Sequence, residues 1–151
     1  MITESKQYDN ADFFKLVETE LEECGSVRFK IKGWSMQPLI RNSHDEVLLD
    51  NAKGQDPQIG DICLFRFRGR HILHRYIKDE GEIMVMQGDN IIASCERCMK
   101  DDVVGIVRIV YRDGKELSPQ STMWHVITYF HRMYLHIRMF GGKVLRFLHL
   151  K

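Results

Sequence analysis

The 151-residue chain has no apolar run near the roughly 20 residues that cross a bilayer. That argues against a membrane-spanning helix as its organising element. Its first residues are polar and acidic and lack the apolar centre of a secretory signal. The four cysteines, Cys24, Cys63, Cys95 and Cys98, are therefore expected as free thiols in a reducing, cytoplasmic setting. A net charge of only +1 gives no case for nucleic acid as a partner. Cys95-x-x-Cys98 has no second cysteine pair, and the nearby histidines lack ligand spacing, so neither metal nor cofactor is expected. Internal repeats and low-complexity tracts are missing too, and the length suits a single domain over 1–151.

What is present is unevenly charged. Residues 1–24 hold seven acids and two bases, whereas residues 121–151 hold five Lys/Arg and no acid. An acidic helix is expected over 9–24, capped by Asp9 or Asn10, with Phe13, Phe14, Leu16, Val17 and Leu21 as its apolar side. Gly25 suits a helix stop. From Val27 the period falls to two, giving strands at 27–32, 46–50, 61–67, 71–78, 82–87 and 103–111, with 88–102 read as a loop. Many short strands predict a mainly β core over 26–112, antiparallel and curled into a barrel-like or sandwich form. Residues 112–120 read as a turn and a connector. Residues 122–140 follow as an amphipathic helix, interrupted at Gly141-Gly142. Its stripe of Val126, Phe130, Met133, Ile137 and Phe140 is expected to pack on the β core. The alternative is a peripheral contact of residues 121–151 with an anionic membrane.

One stretch carries candidate chemistry. Gly33-Trp34-Ser35-Met36-Gln37-Pro38 follows an alternating run and places a hydroxyl where a strand ends. Serine needs a base to take its proton, and that base needs an orienting partner. His74 suits the base, since an imidazole ordinarily titrates near pH ~6.5. It lies in a predicted strand where Ile72, His74 and Tyr76 share one face. Asp89, on the Gly88-Asp89-Asn90 turn, can supply a carboxylate.

Five pieces in order, Gly33 to Pro38, Ile59-Gly60-Asp61-Ile62, Leu73-His74-Arg75-Tyr76, Gly88-Asp89-Asn90 and Val103-Val104-Gly105-Ile106-Val107, cover about residues 27–111. Together they resemble the signal peptidase I and LexA-type serine peptidase superfamily. The histidine at position 74 is similar to the Ser-His branch of archaeal and endoplasmic-reticulum signal peptidases. The resemblance implies a serine endopeptidase acting on a leader or signal-like peptide, with Ser35 as nucleophile and His74 as base. It also implies an oxyanion and substrate region at Gly33, Trp34 and Met36. Gly33 cannot supply the hydroxyl donor that lysine-type relatives carry there, which leaves the Ser35 N–H. Strand edges at 27–34 and 71–76 are expected to hold an extended peptide.

Where histidine-type relatives carry an Asp pair after Gly-Asp-Asn, this chain has Ser94 and Cys95. The orienting carboxylate is therefore open: Asp89 first, Glu96 second, Asp101 or Asp102 last. No counterpart is expected for the membrane anchor usual in signal peptidases or for the DNA-binding domain of LexA-like regulators. Two other readings stand beside the enzyme: a catalytically weak peptide-binding module, and a LexA-like switch cutting itself at Cys24-Gly25. For that pair the plainer reading is a helix cap. The oligomeric state and the substrate are not legible.

Overall fold

The structure, a computed structural model, describes residues 10–148. Asp9 as a cap and the end of the basic tail lie outside the described residues. Helix α1 (Asn10–Cys24) leads into β1 (Ser26–Lys30) and β2 (Glu46–Asn51). Strands β3 (Ile62–Phe67), β4 (Arg70–Glu80), β5 (Ile83–Gln87) and β6 (Glu96–Met99) follow. A 3-10 turn, Lys100–Asp102, leads into β7 (Val103–Arg112), β8 (Lys115–Leu117) and helix α2 (Thr122–Leu148).

All pairings are antiparallel, in the order β1-β2-β7-β3-β4-β5-β6, with β8 beside β7. This corrects the expected architecture. The sheet is not closed into a barrel, because β1 and β6 each have one strand neighbour and do not pair with each other. Both ends are short strands, of five and four residues, which limits the unpaired edge they expose. Two helices of 15 and 27 residues make the fold mixed α/β and not mainly β.

Each sheet face has its own apolar cluster. On one face, Val17 and Leu21 of α1 and Trp124 of α2 join Val27, Phe29, Val47, Leu49, Ile62, Leu64, Val107 and Val110. The other holds Cys63, Phe65, Tyr76, Met84, Met86, Cys98 and Ile106. Alternation along β3 sends Ile62 and Leu64 one way and Cys63 and Phe65 the other, so it is buried on both sides. Helix α1 ends as expected: Gly25 has φ +77°, and its N–H donates to the Leu21 carbonyl at 3.0 Å.

Four further expectations change. The segment read as a loop contains β6, and the connector contains β8. Helix α2 runs through Gly141-Gly142 without a break, since glycine lowers helix stability by only about 1 kcal/mol. Its apolar stripe does not pack on the core. Phe130 is 57% exposed and Ile137 62%, and Val126, Met133 and Phe140 are exposed too. The inward side is Trp124 and Thr128, both buried, followed by half-buried His131, Arg132 and Leu135.

Candidate functional site

The Ser35 box is a turn fastened from below. Met36, Leu39 and Ile40 bury their side chains in the cluster shared with α1. Each such burial is worth about 1.5–3 kcal/mol, enough to fix the turn on the sheet. The Ile40 N–H donates to the Met36 carbonyl at 2.9 Å, and the Gln37-Pro38 bond is cis. Gly33 adopts φ +132°, a region closed to most side chains, and its N–H donates to Asn42 Oδ1 at 2.9 Å. Asp45 holds the far end of the loop. Its carboxylate is fully buried and accepts from the Arg41 backbone N–H at 2.8 Å and from the guanidinium groups of Arg41 and Arg112. Burial alone would raise its pKa. The hydrogen bond from Arg112, with those from Arg41, outweighs burial and holds it below the usual range.

His74 sits in the middle of β4, opposite Cys63 of β3, with its side chain 6% exposed. Strand β5 ends at Gln87, opposite Arg75, so Gly88 continues the chain beside His74. The closeness at Gly88 defines the site. A Cβ built there would lie 3.0 Å from His74 Nε2, 3.0 Å from Ser35 Cβ and 2.7 Å from the Ser35 carbonyl oxygen. The serine Cβ and the imidazole Nε2 are therefore no more than twice 3.0 Å apart. Only glycine leaves that space open. The Asn90 N–H donates to the Ser35 carbonyl at 2.8 Å, tying the Gly88-Asp89-Asn90 turn to the box. No hydrogen bond joins the Ser35 and His74 side chains, and the Ser35 N–H has no backbone acceptor among the described residues.

The other imidazole nitrogen, Nδ1, lies 2.8 Å from Glu96 Oε2. The sheet register explains this contact. Tyr76 pairs with Met86, and Met86 with Glu96. Residues directly opposite share a face, and His74 lies two residues from Tyr76 on that same face. Glu96 thus enters from β6 diagonally across β5. With its side chain 18% exposed, the carboxylate keeps access to water.

Asp89, the first choice for orienting His74, is elsewhere. It is fully buried and gripped by Arg75 through two parallel bonds, Nε–Oδ1 at 2.8 Å and Nη2–Oδ2 at 2.7 Å. Arg75 follows His74 in the strand and so points to the opposite face. Its Nη1 donates to the Gly60 carbonyl at 2.6 Å, locking the Ile59-Gly60-Asp61 turn as well. Asp101 and Asp102 fall in the 3-10 turn beyond β6, where Asp102 accepts from the Met99 N–H at 2.8 Å. Gln87 braces the turn. Its amide donates to the Ser94 carbonyl at 2.9 Å and its oxygen accepts from Arg132 of α2.

Of the three positions expected around the substrate, Gly33 and Trp34 are exposed beside Ser35, Trp34 by 66%. The Met36 side chain is core, so only its backbone can face a peptide. The expected binding edges are also sharpened. Strand β1 has no strand on its outer side. In β4, residues 70–74 pair only with β3, because β5 begins its pairing at Arg75. Arg75 and Tyr76 are paired on both sides and cannot receive a further strand.

Sequence reasoning did not single out Gly88, Arg75 or Gln87 as site-builders. The Gly88 signal was its place at a strand end, where a close approach needs no side chain. Cys98 is buried in the sheet and its thiol is pushed up by burial to about 11, while Cys95 is exposed before β6, so the pair is not a joint site. No group of three or more His, Cys, Asp or Glu among the described residues could hold a metal ion. The Cys24-Gly25 bond lies at the end of β1 remote from Ser35, with the Gly25 carbonyl accepting from the Asn51 N–H at 2.8 Å. No family model matches the chain, and no curated protein matches it.

Proposed function

We propose that the protein is a serine endopeptidase of the signal peptidase type, cleaving a leader or signal-like peptide with Ser35, His74 and Glu96. The observation that carries this reading is the convergence of Ser35 and His74 Nε2 on Gly88, while Glu96 holds Nδ1. Among the four carboxylates left open by the sequence it supports Glu96 over Asp89, whose charge is spent on Arg75.

In this mechanism Glu96 accepts the Nδ1–H, which leaves Nε2 as the basic nitrogen. Ser35 Oγ attacks the scissile carbonyl carbon, and its proton passes to Nε2. The carbonyl oxygen takes the negative charge, facing the Ser35 N–H, which has no backbone acceptor among the described residues. Collapse breaks the C–N bond, and Nε2 returns the proton to the leaving amine. Water then repeats the sequence on the acyl ester, releasing the carboxylic acid and restoring Ser35. An extended substrate adds as a strand along residues 70–74, whose free side adjoins His74. Attack needs a rotation of the Ser35 side chain that brings Oγ within about 3 Å of Nε2.

The test is labelling by a serine-reactive phosphonate together with cleavage of leader peptides that have small residues before the cut. Wild type is expected to label and cleave, and Ser35→Ala and His74→Ala to do neither. Equal behaviour of wild type and Ser35→Ala in both assays overturns the proposal. Self-cutting at Cys24-Gly25 is disfavoured, because moving that bond to Ser35 would strip β1 from β2.

A further inference from the structure

Nine of the twelve large apolar side chains exposed among the described residues lie on α2. They recur at helical spacing: Met123, Val126 and Ile127, Phe130, Met133 and Tyr134, Ile137, Phe140. They form one side of the helix, opposite the face that Trp124, Thr128 and Arg132 hold against the sheet. The helix is 27 residues long, so the stripe extends for several turns over a rod about 40 Å in length. A patch of this kind on a folded domain marks an interaction surface.

We infer that α2 lies flat on an anionic lipid bilayer, with this stripe sunk to the acyl boundary. Charge selects the occupant. Residues 121–151 contain five Lys/Arg and no acid, so nothing on the segment repels a negative surface. At helical spacing Arg138 borders the stripe on one side, where its long cationic stem reaches headgroups, and His125 and His136 border it on the other. Tyr129 and Tyr134, 66% and 56% exposed, supply rings suited to the interface. The helix is not long and apolar enough to cross the membrane, which leaves lying in its plane.

Other occupants fit less well. A second copy offering α2 would bring like charges together. A second copy offering α1 would present only a polar surface, since Val17 and Leu21 are buried and Phe13 and Phe14 pack on the core. The inward face of α2 braces Gln87, which shares the sheet face of Arg75, so docking would place the bilayer on the side of the sheet away from the His74 ring.

The experiment is flotation of the full chain with phosphatidylcholine vesicles, with and without phosphatidylglycerol. Wild type is expected to float with the anionic vesicles. The double variant Phe130→Glu, Ile137→Glu replaces two exposed side chains and should keep the fold, as circular dichroism can verify. It is expected to lose more than about tenfold in partitioning. Ser35→Ala must float as wild type does, which separates this inference from the peptidase reading. Three results would overturn it: wild type left behind by both vesicle types, the double variant floating equally, or equal binding to neutral and anionic lipid. So would a wild-type dimer that the double variant converts to a monomer while neither protein floats.

Discussion

Two carboxylates near His74 in sequence have opposite assignments in space, and single substitutions separate them. Glu96→Gln removes the charge that holds Nδ1–H but keeps the shape. It should lower kcat/KM for leader-peptide cleavage by about 10²–10⁴-fold, with little change in melting temperature. Asp89→Asn acts on the fold. It leaves Arg75, almost completely buried, without its counter-charge, and should cost about 3–5 kcal/mol by denaturant unfolding. If Asp89→Asn spares stability while abolishing only turnover, the assignments are reversed. The sequence ranked Asp89 first because it follows a strand and a glycine. That ranking missed the effect of adjacency: Arg75 is bound to point away from His74, and a buried arginine captures the nearest carboxylate. Glu96 is harder to place from sequence, because nothing in Ser94-Cys95-Glu96-Arg97 announces a strand. Its position follows from the register of β5 with β6, a non-local fact.

At the scale of elements, the candidate site is a meeting of two chain turns and one strand on a single sheet. The Ser35 box follows β1, His74 lies in the middle of β4, and the Gly88 turn follows β5. Gly88 is the contact point, and its replacement tests the geometry without touching a reacting group. Gly88→Ala would press a methyl against Ser35 and the His74 ring at 2.7–3.0 Å, where backbone has to move. Labelling of Ser35 by phosphonate is expected to fall by at least about tenfold, since small displacements of reacting groups cost factors of this size or more. Undiminished labelling would show that the turn does not set the separation. Most strands were legible within one or two residues, because their alternation is local. The facing of α2 was not. Periodicity defines its stripe, but both a core-facing and an outward helix have one. Trp124 and Thr128 occupy the inward side, and Arg132 reaches Gln87, which turns the stripe outward.

For the whole molecule, buried charge makes stability depend on pH in a definable direction. Asp45 sits at the junction of the Ser35 loop, β2 and β7 and is held by Arg112 and Arg41, so its folded pKa is depressed despite burial. Glu18 ties α1 to Arg66 of β3 and His71 of β4, and the Arg66 hydrogen bond depresses it as well. A depressed carboxylate contributes stability that is complete above its unfolded pKa, about 4, and is lost as pH falls through the lower folded value. Unfolding free energy should therefore be flat in these two terms near neutrality and decline below about pH 4. Asp45→Asn makes the origin separable. It should destabilise the protein by about 3 kcal/mol at pH 7, because two guanidinium groups lose their shared carboxylate. It should also shrink the wild-type advantage as the pH drops, since protonated Asp45 resembles the amide. Urea titrations of both proteins from pH 7 to pH 3 measure this convergence. Parallel curves across that range would mean that Asp45 titrates alike in the folded and unfolded chains, and that the Ser35 loop is anchored chiefly by Met36, Leu39 and Ile40.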